Sequence, residues 1–152
     1  MNTKLLLHIR ENSFNTKINS GMMEMTYSRY EKGLETLGKI DGKSRKDGVL
    51  QELEKISPDL ARFTVEFPFG DIYSRPGLDL KSREIATISA LTCLGHMNHL
   101  KDHVKAALSA GCTKTEIKEV IIQMAVYAGF PASINAMLAA REVFENQEGQ
   151  TL

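Results

Sequence analysis

Three glycines constrain the second half of this chain more than any other feature. Gly95, Gly111 and Gly129 each close a stretch in which apolar residues recur every three or four positions, and a new stretch of the same kind follows each of them. Glycine just past a periodic run reads as a helix stop, because it enters the left-handed backbone conformation at no steric cost. The runs so bounded are Leu80 to Leu94, about Met97 to Ala110, and a third beginning at the capping box Thr113-Lys114-Thr115-Glu116. Ile117, Val120, Ile121, Met124 and Ala125 share one stripe of that third helix. Pro131 stands where a last helix should start, running to about Asn146. No segment alternates apolar and polar residues with period two, so the expected class is all-α. Leu80–Leu94 is apolar around most of its circumference, which predicts a central, buried helix.

The first half is punctuated less sharply. Tyr27, Tyr30, Leu34 and Leu37 predict a helix from Thr26, and Gly38, Gly42 and Gly48 predict a charged loop through Lys43-Ser44-Arg45-Lys46. Ser57 and Pro58 fit the N-cap and first turn of a helix carrying Leu60, Phe63, Thr64 and Phe67, expected to end before Pro68 and Gly70. Residues 1–24 are polar and rich in Asn, Ser and Thr, with Met22, Met23 and Met25 as alternative starts. They are expected to form a flexible N-terminal arm, and residues 25–152 the folded domain.

A chain of 152 residues can bury a core without staples. Nineteen basic residues balance nineteen acidic ones, giving no support to nucleic-acid or membrane-surface binding. Cys93 and Cys112 lie nineteen positions apart and form no CxxC motif. They read as reduced, buried or half-buried thiols of a cytoplasmic protein. The Leu5-Leu6-Leu7 run, flanked by Lys4, His8 and Arg10, is too short for a signal peptide core. No stretch approaches the eighteen or so consecutive apolar residues that mark a membrane span.

Chemistry is expected on the helix from Met97. Extended back to His96 on a helical wheel, it places His96, His99 and His103 within about 60° of one another, with Leu100, Ala106, Ala107 and Ala110 sharing or bordering that sector. Lys101, Asp102, Lys105 and Ser109 fall opposite. A buried imidazole needs a hydrogen-bond partner or a ligand, so three together suggest a pocket. Acid-base or oxyanion work, a divalent metal site and an internal polar network are the readings open to it. The first and last imidazoles are about 10 Å apart along the axis, poor geometry for one metal. Glu84, on the preceding apolar helix, needs a partner, and the histidine stripe could supply it; stabilisation by the helix N-terminus is the alternative. Arg75 and Arg83 flank this region and could grip a carboxylate in bidentate fashion.

These residues also carry a resemblance. Gly70-Asp71-Ile72-Tyr73-Ser74-Arg75-Pro76-Gly77-Leu78 resembles the G-[DE]-[IV]-W-S-R-P-G-L signature of γ-carboxymuconolactone decarboxylases. Arg83 to Gly95 followed by His103-Val104-Lys105-Ala106-Ala107-Leu108 is similar to the same family, as is Tyr127-Ala128-Gly129-Phe130-Pro131-Ala132-Ser133 to its Y-[AC]-G-x-P-A-[AS] pattern. The likeness runs through about residues 26–145. It implies an all-helical fold related to alkylhydroperoxidase D, assembled as a homo-trimer or homo-hexamer. It also implies loss of CO2 from 4-carboxymuconolactone in aromatic catabolism, with a small-molecule substrate and no cofactor. His103 matches the family's active-site histidine, with His99 and Glu84 beside it, and Arg75, Arg83 and His96 would bind substrate. Two positions depart from the decarboxylase pattern: His99 stands for a usual Glu and Tyr73 for a usual Trp. In the alkylhydroperoxidase branch the places of His96 and His99 hold a CxxC pair, and Glu84 matches its proton-relay glutamate. Without those thiols disulfide-cycling peroxidase chemistry cannot run. A paralogue with a metal-binding or detoxifying role is the alternative the resemblance leaves.

Overall fold

The computed structural model describes residues 29–40 and 48–148. The expected arm over residues 1–24, the helix start at Thr26 and the loop through Lys43–Lys46 lie outside the described residues. All regular elements among the described residues are helices, with no strand. Helix α1 covers 29–40, α2 Val49–Ile56, α3 Pro58–Val65, α4 Leu80–Leu94, α5 Met97–Ser109 and α6 Lys114–Glu148, with a π-helical stretch Glu66–Tyr73 between α3 and α4.

The second half folds as its punctuation dictates. Asp79 caps α4 by accepting the Ser82 N–H at 2.7 Å, and Gly95 ends it at φ +74°. Gly111, at φ +93°, follows the end of α5. The capping box is formed: Thr113 N–H donates to Glu116 at 2.8 Å and Glu116 N–H to the Thr113 hydroxyl at 3.1 Å. Gly129, at φ 82° and ψ 163°, breaks α6 two residues before Pro131. Helices α4, α5 and α6 each pack on the other two. Ile88, Leu100, Val104, Ala107, Ile117, Ile121, Ala136 and Ala140 fill the space between them and are inaccessible to solvent.

The first half differs from expectation. The Ser57 hydroxyl caps α3 as predicted, but the chain does not stop before Pro68. It continues as a π-helical stretch through Pro68 and Gly70 to Tyr73. The wider turn tolerates a residue that cannot donate an amide hydrogen bond. Gly70 lies here because α1 passes close by: a Cβ at Gly70 would sit 2.4 Å from the Arg29 carbonyl oxygen, and one at Gly33 would sit 2.5 Å from that of Val65. Leu37 and Ile40 of α1 pack with Phe69 against Ala106 of α5. Helix α1 therefore runs through Gly38 instead of ending there, and α2 occupies a stretch with no predicted element.

Exposure brings three further corrections. In α4 only Glu84, Ile88 and Thr92 are buried; Leu94 and Cys93 are exposed, because α5 and α6 cover a single side of it. Leu60, Phe63 and Phe67, read as a packing stripe, are about half exposed. The stretch Lys114–Asn146 is, by length and composition, long and apolar enough to cross a membrane, contrary to the expectation that no stretch came near it. Gly129 interrupts that stretch, and its Ile117, Ile121, Ala136 and Ala140 are core residues.

Candidate active site

Glu84 lies in the second turn of α4 and is fully buried. A buried carboxylate needs an opposite charge or hydrogen-bond donors. His103 of α5 supplies one: its Nδ1 lies 2.8 Å from Glu84 Oε2. A carboxylate opposite Nδ1 accepts from the N–H tautomer that carries its proton there, an arrangement that leaves Nε2 for other work. The second carboxylate oxygen, Oε1, is buried without a hydrogen-bond partner among the described residues, where the pairing with His103 is the one polar contact of this side chain. Of the two readings of Glu84, the histidine partner is the one the fold forms.

His103 borders a cavity of about 420 Å³ among α1, α2, α3, the π-helical stretch, α4 and α5. Leu37, Val65 and Phe69 give it an apolar wall, and its polar groups are His99, Asp102, His103, Tyr73, Thr64 and Thr87. Among the described residues no Lys or Arg lines it. Tyr73 is fixed from two sides. Its ring meets Phe69 at 5.3 Å between centroids, and its hydroxyl lies 2.6 Å from Thr87 Oγ1. Thr87 donates its single proton to the Arg83 carbonyl at 2.9 Å, so the phenol is the donor in the shorter contact.

The three histidines are not one inward stripe. His103 turns inward with its side chain 14% exposed, whereas His99 is exposed at the cavity edge and His96 is exposed outside the lining. The helical wheel fails at His96 because that residue, at φ −86° and ψ 69°, is the N-cap of α5 and lies outside the helical phase. The His96 and His99 rings meet edge to face at 6.5 Å. Among the described residues no three His, Cys, Asp or Glu side chains are grouped to hold a metal ion. Asp102, assigned to the opposite face, in fact borders the cavity.

The arginines stand apart from it. Arg75 is exposed and borders a separate hollow with Lys32 and Asp79. Arg83 donates from Nη2 to the Arg75 carbonyl at 3.0 Å and lies over the Tyr73 ring at 5.9 Å. Sequence reasoning also missed Thr87, three residues past Glu84 and hence on the same side of α4, a spacing that could have flagged it.

The fold and this pair define an all-helical protein with a buried carboxylate–imidazole dyad on an apolar cavity. The chain belongs to the carboxymuconolactone decarboxylase family, whose model matches residues 58–142. It is 38% identical over 118 residues to 4-carboxymuconolactone decarboxylase of Acinetobacter baylyi, covering 78% of this chain and 88% of that protein. An uncharacterized 15.0 kDa protein of Paracoccus denitrificans is 37% identical over 101 residues, 65% of this chain and 75% of its own length. Nitrosuccinic acid decarboxylase of Metarhizium robertsii is 25% identical over 117 residues, 77% of this chain and 82% of its own length. The matched segment holds the whole of α3, α4 and α5, and with them Glu84 and His103.

Proposed function

We propose that this chain is a cofactor-free carboxy-lyase that releases CO2 from a small carboxylated lactone of the 4-carboxymuconolactone type. The observation that carries the reading is the Glu84–His103 pair set on an apolar cavity, in a chain similar to two decarboxylases. In such a substrate the electron pair left by departing CO2 passes through the ring double bond to the lactone carbonyl, so the substrate is its own electron sink. Charge thereby moves from a carboxylate to a carbonyl oxygen. An apolar wall of Leu37, Val65 and Phe69 disfavours the carboxylate, while an N–H at His103 Nε2 stabilises the new oxyanion. Glu84 supports the positive imidazolium that this requires. A proton added to a ring carbon of the resulting dienolate then restores the lactone carbonyl, and the reading gives His99, at the exposed edge, the relay of that proton from solvent. Arg75, Arg83 and His96 have no part in this account, because the cavity is bounded without them. The same reading places the enzyme in cytoplasmic aromatic catabolism and gives it a homo-trimeric or homo-hexameric form. Support for self-association comes from the apolar side chains left uncovered on α6, among them Val126, Phe130 and Ile134.

The test is CO2 evolution from enzymatically prepared 4-carboxymuconolactone, with nitrosuccinic acid run in parallel. Turnover of the lactone supports the proposal. Turnover of nitrosuccinic acid alone replaces the substrate, and turnover of neither rejects the reading.

A further inference from the structure

Arg83 invites the role of carboxylate ligand, but its contacts describe another one. Nη2 is engaged by the Arg75 carbonyl at 3.0 Å, and Nε is buried with no hydrogen-bond partner among the described residues. The side-on grip through Nε and Nη2 is thus closed to an incoming carboxylate. The guanidinium lies over the Tyr73 ring at 5.9 Å, within the range of cation–π attraction. The Tyr73 hydroxyl donates to Thr87 at 2.6 Å, and Thr87 donates to the carbonyl of Arg83 itself at 2.9 Å. The contacts close a ring: Arg83 side chain, Tyr73, Thr87, Arg83 backbone. Tyr73 and Thr87 line the cavity and Arg83 does not.

We propose that Arg83 is a positioning residue, which holds the Tyr73–Thr87 wall of the cavity through its hold on the 74–75 turn and the Tyr73 ring, and does not bind substrate. Glu84, the next residue, orients His103. Two consecutive residues near the start of α4 therefore set two different walls of one site. Planarity matters: a guanidinium can donate along its edge to a carbonyl while presenting its face to a ring, and an ammonium cannot do both. The effect on turnover rests on the carboxy-lyase reading; the contact ring does not.

The test compares Arg83→Met, Arg83→Lys, Thr87→Val and Thr87→Ser by two readouts. The first is the ¹³Cζ NMR signal of Tyr73, assigned by its loss in Tyr73→Phe, and the second is kcat and KM for CO2 release. Arg83→Met is expected to move the Tyr73 signal in the same direction as Thr87→Val. It should lower kcat about tenfold, the scale of a misplaced reacting group, with KM changed by less than about threefold. Thr87→Ser, which keeps the hydroxyl, leaves the Tyr73 signal near its wild-type position, and Arg83→Lys behaves like Arg83→Met. A substrate ligand would give the reverse, and that result overturns the proposal: an unmoved Tyr73 signal, KM raised about tenfold or more, and rescue by Arg83→Lys. If Arg83→Met does not fold, Arg83→Lys carries the same comparison. If the wild type releases no CO2, the carboxy-lyase reading fails by itself, and the Tyr73 signal alone then decides whether Arg83 positions the wall.

Discussion

Glu84 and His103 are nineteen positions apart and each would be costly where it lies without the other. A buried carboxylate with one oxygen unpartnered is tolerable because the imidazole shares its charge. Glu84→Gln keeps the volume but removes that charge, and the amide can turn its NH2 to Nδ1 and favour the other tautomer. We expect kcat to fall about 100-fold or more while the fold persists, checked by CO2 release beside a circular dichroism melt. Gly70 makes a steric prediction at the same scale. A methyl group there would meet the Arg29 carbonyl at 2.4 Å, so Gly70→Ala should cost about 1–3 kcal/mol of stability in denaturant unfolding. Part of the pairing was legible: Glu84 on an apolar helix announced the need for a partner, and the histidine stripe was one of the two answers open to it, the helix N-terminus being the other. The orientation of His96 and Asp102 was not, since a wheel assumes ideal helical phase and says nothing of which neighbour covers each sector.

Among the elements, α6 begins at a reciprocal capping box between Thr113 and Glu116. Glu116 accepts a hydrogen bond from Lys81, whose ammonium lies 2.8 Å away, and from the Thr113 N–H, and together these hold its carboxyl down to about 2. A carboxyl whose folded value lies below its ordinary one stabilises the fold fully above that ordinary value, near 4.5. The contribution disappears as pH falls towards 2. Glu116→Gln should therefore melt below wild type at pH 7, and the gap in Tm should close between about pH 4.5 and 2. A gap of constant size across that range would contradict this assignment. The three glycine stops and this box were plain in the sequence because each is a local rule: one residue type meets one backbone requirement. The π-helical stretch was not, because Pro68 and Gly70 are ordinary breakers. What carries the chain past them is the close approach of α1, a contact made more than thirty residues away in sequence.

At the scale of the molecule, α4, α5 and α6 bury one core and leave apolar surface uncovered. Val126, Tyr127 and Phe130 are each about three-quarters exposed beside the Gly129 break. Exposed apolar area of this kind marks an interaction surface. If copies of the chain meet there, Phe130→Asp should lower the mass measured by light scattering, with helicity unchanged; an unaltered mass would place the interface elsewhere. The exposed α4 and α3 side chains show why the sequence overstated burial. Apolar periodicity reports which residues avoid water, not whether the same chain covers them.

The central claim is that the Glu84–His103 pair turns an apolar cavity into a site for decarboxylation. Its most direct test is the kcat for CO2 release from 4-carboxymuconolactone by wild type and by His103→Ala, both shown to be folded. The account predicts measurable turnover in the wild type and a loss of about 100-fold or more in the variant. Equal rates from the two proteins would contradict it.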